Sequence, residues 1–578
     1  MRYPTSISWS SYNLFLSGVI LIVFLVHSSY INNGFTWLDH RDIEQRRAIT
    51  PLSSIDKAFV SRFGDTGFYR PLVTVVHSLD YWLYGHWAPG FHLTNIILHL
   101  ITTGIVPLFL RCYFFLKPYE SLTASLIFGL HPITWLPTGA ISYRPELLLT
   151  LFTMLAVIFH TKSRMYHKSI DILLAITFFI FGIFSKETAL FWIPSLILLW
   201  EFIEYRTQIP VDKLNQNSFR LPHLKNSGYI LFLIEFSVMA FYIILRLKAV
   251  PEIWKTNTAI MPFSQLVGTR LAVIGYQILS LINPFKPNIS DATFIVGLED
   301  FSTIFVFLII LFFLFLIFIL GIRNYISRTL LIIAICLAPT LNILPLPRFR
   351  SPHYSYFAVV GAIMTIILLM RFFDIKYILR NITKTLLAIW ILIMAYSTFA
   401  AGFQFKNDRT LFEKEVNIDQ NFLEGHYYLG NFYLSTGNYS LASREYELAM
   451  PSRHNVIAFV DKPSLLTNLA LIRIKENHPE EAEILLTHAE ESAANAEKSL
   501  IAYNRAVLAS QQGNYTKVFE ILSKYKSDFT KAEPLLLMAT ALKYLHRTQE
   551  AKQVLKDTLI YLDEAQKLKI IKLIESIE

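Results

Sequence analysis

The 578-residue chain has only two cysteines, Cys112 and Cys336, both in or beside apolar segments. That excludes a disulfide framework and a cysteine-built metal cluster. Charge is also scarce. Only 16% of residues are Asp, Glu, Lys or Arg, where soluble domains carry about a quarter. The deficit falls in the first 400 residues, while the last 170 have ordinary soluble composition. A P-loop, a dinucleotide-binding glycine fingerprint and a zinc signature are all missing. A nucleotide-driven engine is therefore unsupported, and any transfer chemistry would draw on an activated donor. The formal charge of +9 does not mark a nucleic-acid partner. The basic residues lie in short clusters between apolar runs, not on one basic face. The first apolar run, Leu14 to Val26, lacks a strong basic flank and a small-residue cleavage site, so it reads as an uncleaved first span.

What the chain does have is long apolar runs. Mean hydropathy is +0.43, with 46 Phe and 29 Tyr suited to lipid-facing and interfacial positions. A membrane-crossing helix needs about 20 mostly apolar residues. Runs near 11–28, 91–110, 121–138, 145–160, 169–185, 187–205, 226–246, 302–322, 328–346, 353–371 and 383–401 predict an all-alpha polytopic membrane protein with about eleven transmembrane helices. Basic clusters at Arg111 and Lys117, at Lys162, Arg164 and Lys168, at Arg206, Lys213, Arg220 and Lys225, at Arg323 and Arg328, and at Arg371, Lys376, Arg380 and Lys384 fall on one side under one condition. The segment 264–282, which carries Arg270 and ends in Asn283-Pro284, must be re-entrant or interfacial. The N-terminus is then inside. The loop 29–90, Thr138 to Arg144, Ser185 to Glu187, the 247–300 region and Pro345 to His353 are all outside.

Those outer stretches are where polar residues interrupt the apolar pattern. Charge at membrane depth is costly unless paired or facing a cavity. Asp39, just beyond the first span, is placed to take a proton from an acceptor hydroxyl or to hold that acceptor. It reads equally as a solvated loop charge. His92, Asn95 and His99 share one helix face, a spacing that favours helix-to-helix hydrogen bonding over metal binding. In Ser142-Tyr143-Arg144-Pro145-Glu146, Arg144 could bind phosphate with Glu146 orienting it, or the two could form an internal pair. Ser185-Lys186-Glu187 could turn Lys186 toward the same cavity, and Arg348, Arg350 and His353 precede Tyr354 and Tyr356. Several cations on one face suit a phosphate leaving group, with Arg as the bidentate partner and Lys as a point charge. Taken singly, each reads as an interfacial snorkelling residue. No metal and no cofactor is implied.

After Phe405 the chain turns polar and helical. Gly430 and Ala442, Ala470 and Ala482, Ala506 and Val518, and Ala539 and Ala551 are each twelve apart, in repeats beginning 40, 36 and 33 residues apart. This is similar to tetratricopeptide repeats, whose period is 34. Four such repeats suffice for a stacked solenoid that binds a partner or packs an assembly. The expected domains are 1–404 in the membrane, with its outer loop 29–90, and a helical-repeat domain at 405–578.

The membrane half resembles multispanning glycosyltransferases of the GT-C superfold, and more closely the transmembrane protein O-mannosyltransferases fused to tetratricopeptide repeats. The resemblance rests on Gly34-Phe35-Thr36-Trp37-Leu38-Asp39, Tyr69-Arg70-Pro71-Leu72, Gly90-Phe91-His92-Leu93-Thr94-Asn95 with His99, Phe128 to Ile133, Ser142 to Leu148, and Ser185-Lys186-Glu187, in that order. It is weak over 205–345. It implies an inverting enzyme with Asp39 as the catalytic carboxylate. It also implies Arg144, Glu146 and Lys186 as donor-phosphate or active-site neighbours, and Glu187, Arg70, Arg348 and His353 are further candidates among the outer-face residues. The implied donor is a polyprenyl-phosphate sugar. The acceptor would be a peptide, protein or glycan, held by the repeats and glycosylated at a hydroxyl. Transfer to a lipid or envelope polysaccharide, or a non-catalytic scaffold, are the alternatives. The expected location is the bilayer of a bacterial inner membrane, with catalytic face and repeats periplasmic. Two departures stand out: Leu38 replaces the first of a common acidic pair, and His353 stands where Arg is common before Tyr-x-Tyr.

Overall fold

The computed structural model describes residues 9–64, 66–114, 116–208, 226–251, 261–342, 346, 348–373, 377–450, 455–493, 495–529, 532–559 and 564–576. The positive clusters expected at Lys213 to Lys225 and at Lys376, and the start of the last outer loop at Pro345, lie outside them. The chain divides into two units, Met1–Asn421 with Asn455–Ile457, and Phe422–His454 with Ala458–Glu578. Residues 405–421, assigned from their polarity to the repeat domain, belong to the first unit.

The first unit is a helical bundle. Among the described residues, six helices are long and apolar enough to cross a membrane: Ser10–Tyr30, Ala88–Tyr113, Ile141–Tyr166, Phe263–Ile282, Phe301–Leu320 and Arg380–Lys406. Ser169–Ser185, Tyr325–Leu341 and Val359–Phe373 are shorter apolar helices. The segment expected to be re-entrant is one unbroken helix, Phe263–Ile282. Its 20 residues are long and apolar enough to cross. Phe301–Leu320 exposes Phe305, Leu308, Phe312, Phe315 and Phe318. In water such a face would be strongly unfavourable, and lipid is its natural solvent.

Proline starts many of these helices. Pro71, Pro118 and Pro145 each occupy a first-turn position, where the missing N–H costs nothing and the fixed φ favours the helix. Pro132 acts otherwise. The helix Pro118–Leu130 stops at His131 and is followed by short turns at Pro132–Thr134 and Ile141–Tyr143 before Arg144–Tyr166 begins. The expected span at 121–138 is therefore broken. Residues 127 to 151 are all buried. Non-helical backbone at membrane depth persists only where protein surrounds it.

The basic residues Arg164, Arg328 and Arg371 lie at the end of the bundle away from Arg144. Arg164 pairs with Glu201 at 2.6 Å near the end of the helix that Arg144 begins, about 30 Å away at 1.5 Å per residue. Arg371 pairs with Glu120 at 2.7 Å, and Arg328 donates to the Tyr113 carbonyl at 2.8 Å. Thr293–Phe294 pairs antiparallel with Val456–Ile457, also in the first unit.

The second unit is built from consecutive helix pairs, beginning with Leu423–Ser435 and Tyr439–Leu448 and then Lys462–Lys475 and Pro479–Ser492. Its regularity is visible in the backbone. Gly437, Asn477, Gly513 and His546 all have positive φ, at 78°, 62°, 72° and 57°. Their spacing equals that of the repeats. Ala442, Ala482, Val518 and Ala551 are fully buried, and a Cβ at Gly430 would lie 2.5 Å from the Tyr446 ring. Small residues at fixed places thus let the paired helices close up, as in a solenoid.

Candidate active site

The site begins where the first span ends. The loop 34–46 carries Trp37 in the left-handed region, at φ 57°. A bulky residue adopts that conformation only when its surroundings enforce it. The Trp37 N–H donates to Asp408 Oδ1 at 2.8 Å. Its ring packs against Tyr143 and Phe412, and the Arg348 guanidinium lies 5.0 Å from its centroid.

Asp39, two residues on, is fully buried. Its Oδ1 accepts the Ser142 N–H and the Ser142 hydroxyl, each at 2.7 Å. Oδ2 accepts longer contacts from the Thr36 and Ile141 N–H groups, each at 3.4 Å. The broken helix explains the arrangement: its turn at 141–143 leaves backbone N–H groups without helical partners, and Asp39 satisfies them. Burial pushes the Asp39 carboxyl up to about 6, against the opposing pull of the Ser142 and Thr36 hydrogen bonds and the His40 charge. A carboxylate balanced near neutrality is suited to proton exchange.

The other expected residues converge on the same region, with partners the sequence did not indicate. Arg144 is not paired with Glu146. Its guanidinium is fully buried, forms an ion pair with Asp80 at 2.7 Å, and donates to Asn95 Oδ1 at 2.7 Å and the Phe91 carbonyl at 3.0 Å. It locks the start of its helix to the neighbouring helices Pro71–Tyr84 and Ala88–Tyr113. Glu146 instead pairs with Lys186 and lies 3.6 Å from His353 Nε2. The Lys186 ammonium is 5.4 Å from the Tyr354 ring centroid. Glu187 accepts from Arg70 at 3.3 Å and from the Tyr69 N–H at 3.1 Å.

His353 joins these groups. Its ring lies 4.3 Å from that of Tyr143 and 4.2 Å from that of Tyr354. Nδ1 meets the Ser351 hydroxyl at 2.6 Å. Burial, and then the nearby charges of Lys186, Arg348 and Arg70, hold its pKa well below the ordinary histidine value. At neutral pH it is uncharged. The cationic character of the cluster therefore comes from Lys186, Arg348 and Arg70.

His92, Asn95 and His99 serve helix packing. His92 meets the Gly34 carbonyl at 3.1 Å, Asn95 holds Arg144, and His99 bridges the Tyr356 hydroxyl at 2.8 Å and the Gly129 carbonyl at 3.1 Å. Among the described residues no three His, Cys, Asp or Glu side chains are grouped to hold a metal. Two contributors, Asp80 and Asp408, stand outside the residues expected from the sequence. Asp80 was legible in principle as a lone acid in an apolar helix. Asp408 lies in a polar segment with nothing to single it out.

No family model matches the chain. Protein O-mannosyl-transferase TMTC3 of Homo sapiens is 32% identical over 165 residues, covering 26% of this chain and 18% of that protein. Protein O-mannosyl-transferase F38B6.6 of Caenorhabditis elegans is 31% identical over 147 residues, covering 24% and 20%. Protein O-mannosyl-transferase Tmtc1 of Drosophila melanogaster is 25% identical over 185 residues, covering 30% and 21%. The chain thus spans about a fifth of the length of these relatives. It resembles transmembrane protein O-mannosyltransferases of human, nematode and fly alike.

Proposed function

We propose that this chain transfers a sugar from a polyprenyl-phosphate donor to an acceptor hydroxyl at the extracytoplasmic face of its membrane, as in protein O-glycosylation. The observation that carries the reading is convergence. From well-separated segments, Arg348 lies over Trp37, Trp37 packs on Tyr143, Tyr143 on His353, and His353 and Lys186 meet Glu146, while Asp39 is tied to Ser142 beside Tyr143 and the Arg70 charge acts on His353. The likeness to named O-mannosyl-transferases from several animals supports the same class of chemistry.

In this reading the acceptor oxygen attacks the anomeric carbon as the bond to the phosphate oxygen breaks. The configuration inverts, Asp39 receives the hydroxyl proton, and the polyprenyl phosphate departs. Lys186, Arg70 and Arg348 would offset the negative charge left on the phosphate, and preorganised charge of this kind lowers such barriers substantially. Arg144 is assigned to architecture, because its donors already engage Asp80, Asn95 and Phe91. The helix stack of the second unit is assigned, as a tetratricopeptide-type solenoid, to holding the peptide, protein or glycan acceptor. The experiment is transfer of labelled sugar from a panel of polyprenyl-phosphate sugars into native membrane acceptors, with Asp39→Asn alongside.

A second reading, a non-catalytic scaffold, has one observation in its favour. The charges of the cluster are paired internally, Lys186 with Glu146 and Arg70 with Glu187, and Asp39 is fully buried. A scaffold predicts that Asp39→Asn leaves cellular function intact.

A further inference from the structure

The helix Asp408–Ile418, which follows the last span, is tied into the loop that carries Asp39. Asp408 is buried, with 6% of its surface exposed. Its Oδ1 accepts the Trp37 N–H at 2.8 Å, and its Oδ2 lies 3.1 Å from His40 Nε2. Trp37 and His40 bracket the candidate catalytic carboxylate in sequence, so one side chain holds the backbone before it and the ring after it. Farther along the helix, Phe412 packs edge-on against Trp37, while Glu415 pairs with Lys286 and accepts the Ile289 N–H at 3.0 Å. The helix is thus anchored at three successive turns of its buried face.

We propose that Asp408 is a positioning residue for Asp39, holding the strained Trp37 backbone on one side of it in sequence and the His40 imidazole on the other. This rests on the reading of Asp39 as the proton acceptor in glycosyl transfer. The charged groups facing His40 are Glu44, on its own turn, and Asp408, on the packed helix. Burial lowers the His40 pKa, but the hydrogen bonds and charges of Asp408 and Glu44 outweigh it and raise it to about 10. Burial raises the Asp39 carboxyl, and among the opposing influences, after the Ser142 and Thr36 hydrogen bonds, is the His40 charge. Removing the Asp408 charge would weaken His40 as a cation, and Asp39 would then bind its proton more tightly.

Asp408→Asn tests this in the full-length membrane-embedded protein, since its amide oxygen can still accept the Trp37 N–H while the charge is gone. Two readouts are taken. The first is the pH dependence of labelled-sugar transfer. The second is the pH dependence of His40 acylation by diethyl pyrocarbonate, read by mass spectrometry. That reagent attacks neutral imidazole, and the His40 side chain is 37% exposed. The proposal expects His40 to become reactive at lower pH than in the wild type. It also expects the acid limb of transfer to move up by as much as about one pH unit, since adjacent opposite charge shifts a pKa on that scale. Asp408→Glu, which restores the charge, should move both back. An unchanged His40 titration in Asp408→Asn overturns the proposal whatever happens to activity, as does a uniform loss of transfer with an unmoved acid limb. Absence of transfer from every donor in the wild-type control contradicts the functional reading instead, and is recognised as such because it does not depend on the variant.

Discussion

Ser142 donates both its backbone N–H and its hydroxyl to one oxygen of Asp39, each at 2.7 Å. The pair joins the first outer loop to the break between two helices, and both contacts favour the ionised carboxylate. Ser142→Ala removes one of them. A hydrogen bond to a charged group is worth about 1.5–3 kcal/mol. The variant should transfer sugar more slowly, with its acid limb displaced to higher pH. A pH–rate profile checks both. An unshifted limb would show that the hydroxyl does not tune Asp39.

Wild-type transfer should itself depend on pH in a defined direction. Burial places the Asp39 carboxyl at about 6. A proton acceptor must be ionised, so the rate should be level above that value and fall about tenfold per pH unit well below it. Initial rates between pH 4.5 and 8 would test this. A rate that rises on acidification would contradict the role of Asp39 as base.

His353 and Lys186 should respond differently to loss of their polar groups. His353 is held neutral by burial and neighbouring cations, so His353→Gln should leave donor use largely intact. Lys186→Met removes a charge from the cluster and leaves Glu146 without its ion-pair partner. Loss of one preorganised stabilising group typically costs about 10²–10³ in kcat, and a loss toward the lower end is expected here. Donor-concentration series on the two variants would separate them. Equal defects would mean that His353 supplies something other than neutral packing.

Asp80→Ala should act on stability rather than chemistry. It leaves the fully buried Arg144 without its ion-pair partner, a change that typically costs about 3–5 kcal/mol. Thermal unfolding in detergent should show a clearly lowered transition. A stable variant with selectively lost transfer would move Asp80 from architecture into the reaction.

Much of this arrangement was legible in the sequence, and the failures have physical reasons. Asp39, Glu146 and Lys186 are legible because charge interrupts apolar runs only where it is paired or used. The repeats were legible because close helix packing requires Gly or Ala at fixed intervals. Arg144 pairs with Asp80 rather than Glu146 because packing of Pro71–Tyr84 brings Asp80 to it, and that pairing leaves no local trace. At the break between the helices Asp39 satisfies the N–H groups of Ile141 and Ser142, an acceptor about a hundred residues away that no local pattern shows. The polar helix Asp408–Ile418 looked like the start of a soluble domain. Its buried face, with Asp408, Phe412 and Glu415, belongs to the first unit, and Asp408 contacts His40 across 368 residues.

The most direct test of the central claim is transfer of labelled sugar by purified wild-type protein and Asp39→Asn, from a panel of polyprenyl-phosphate donors to native membrane acceptors. The account predicts transfer from at least one donor by the wild type, and a loss of about 10²-fold or more in the variant, the scale of a missing general base. Equal transfer by both proteins would remove Asp39 from the chemistry. No transfer by a folded wild type would contradict the assignment as a glycosyltransferase.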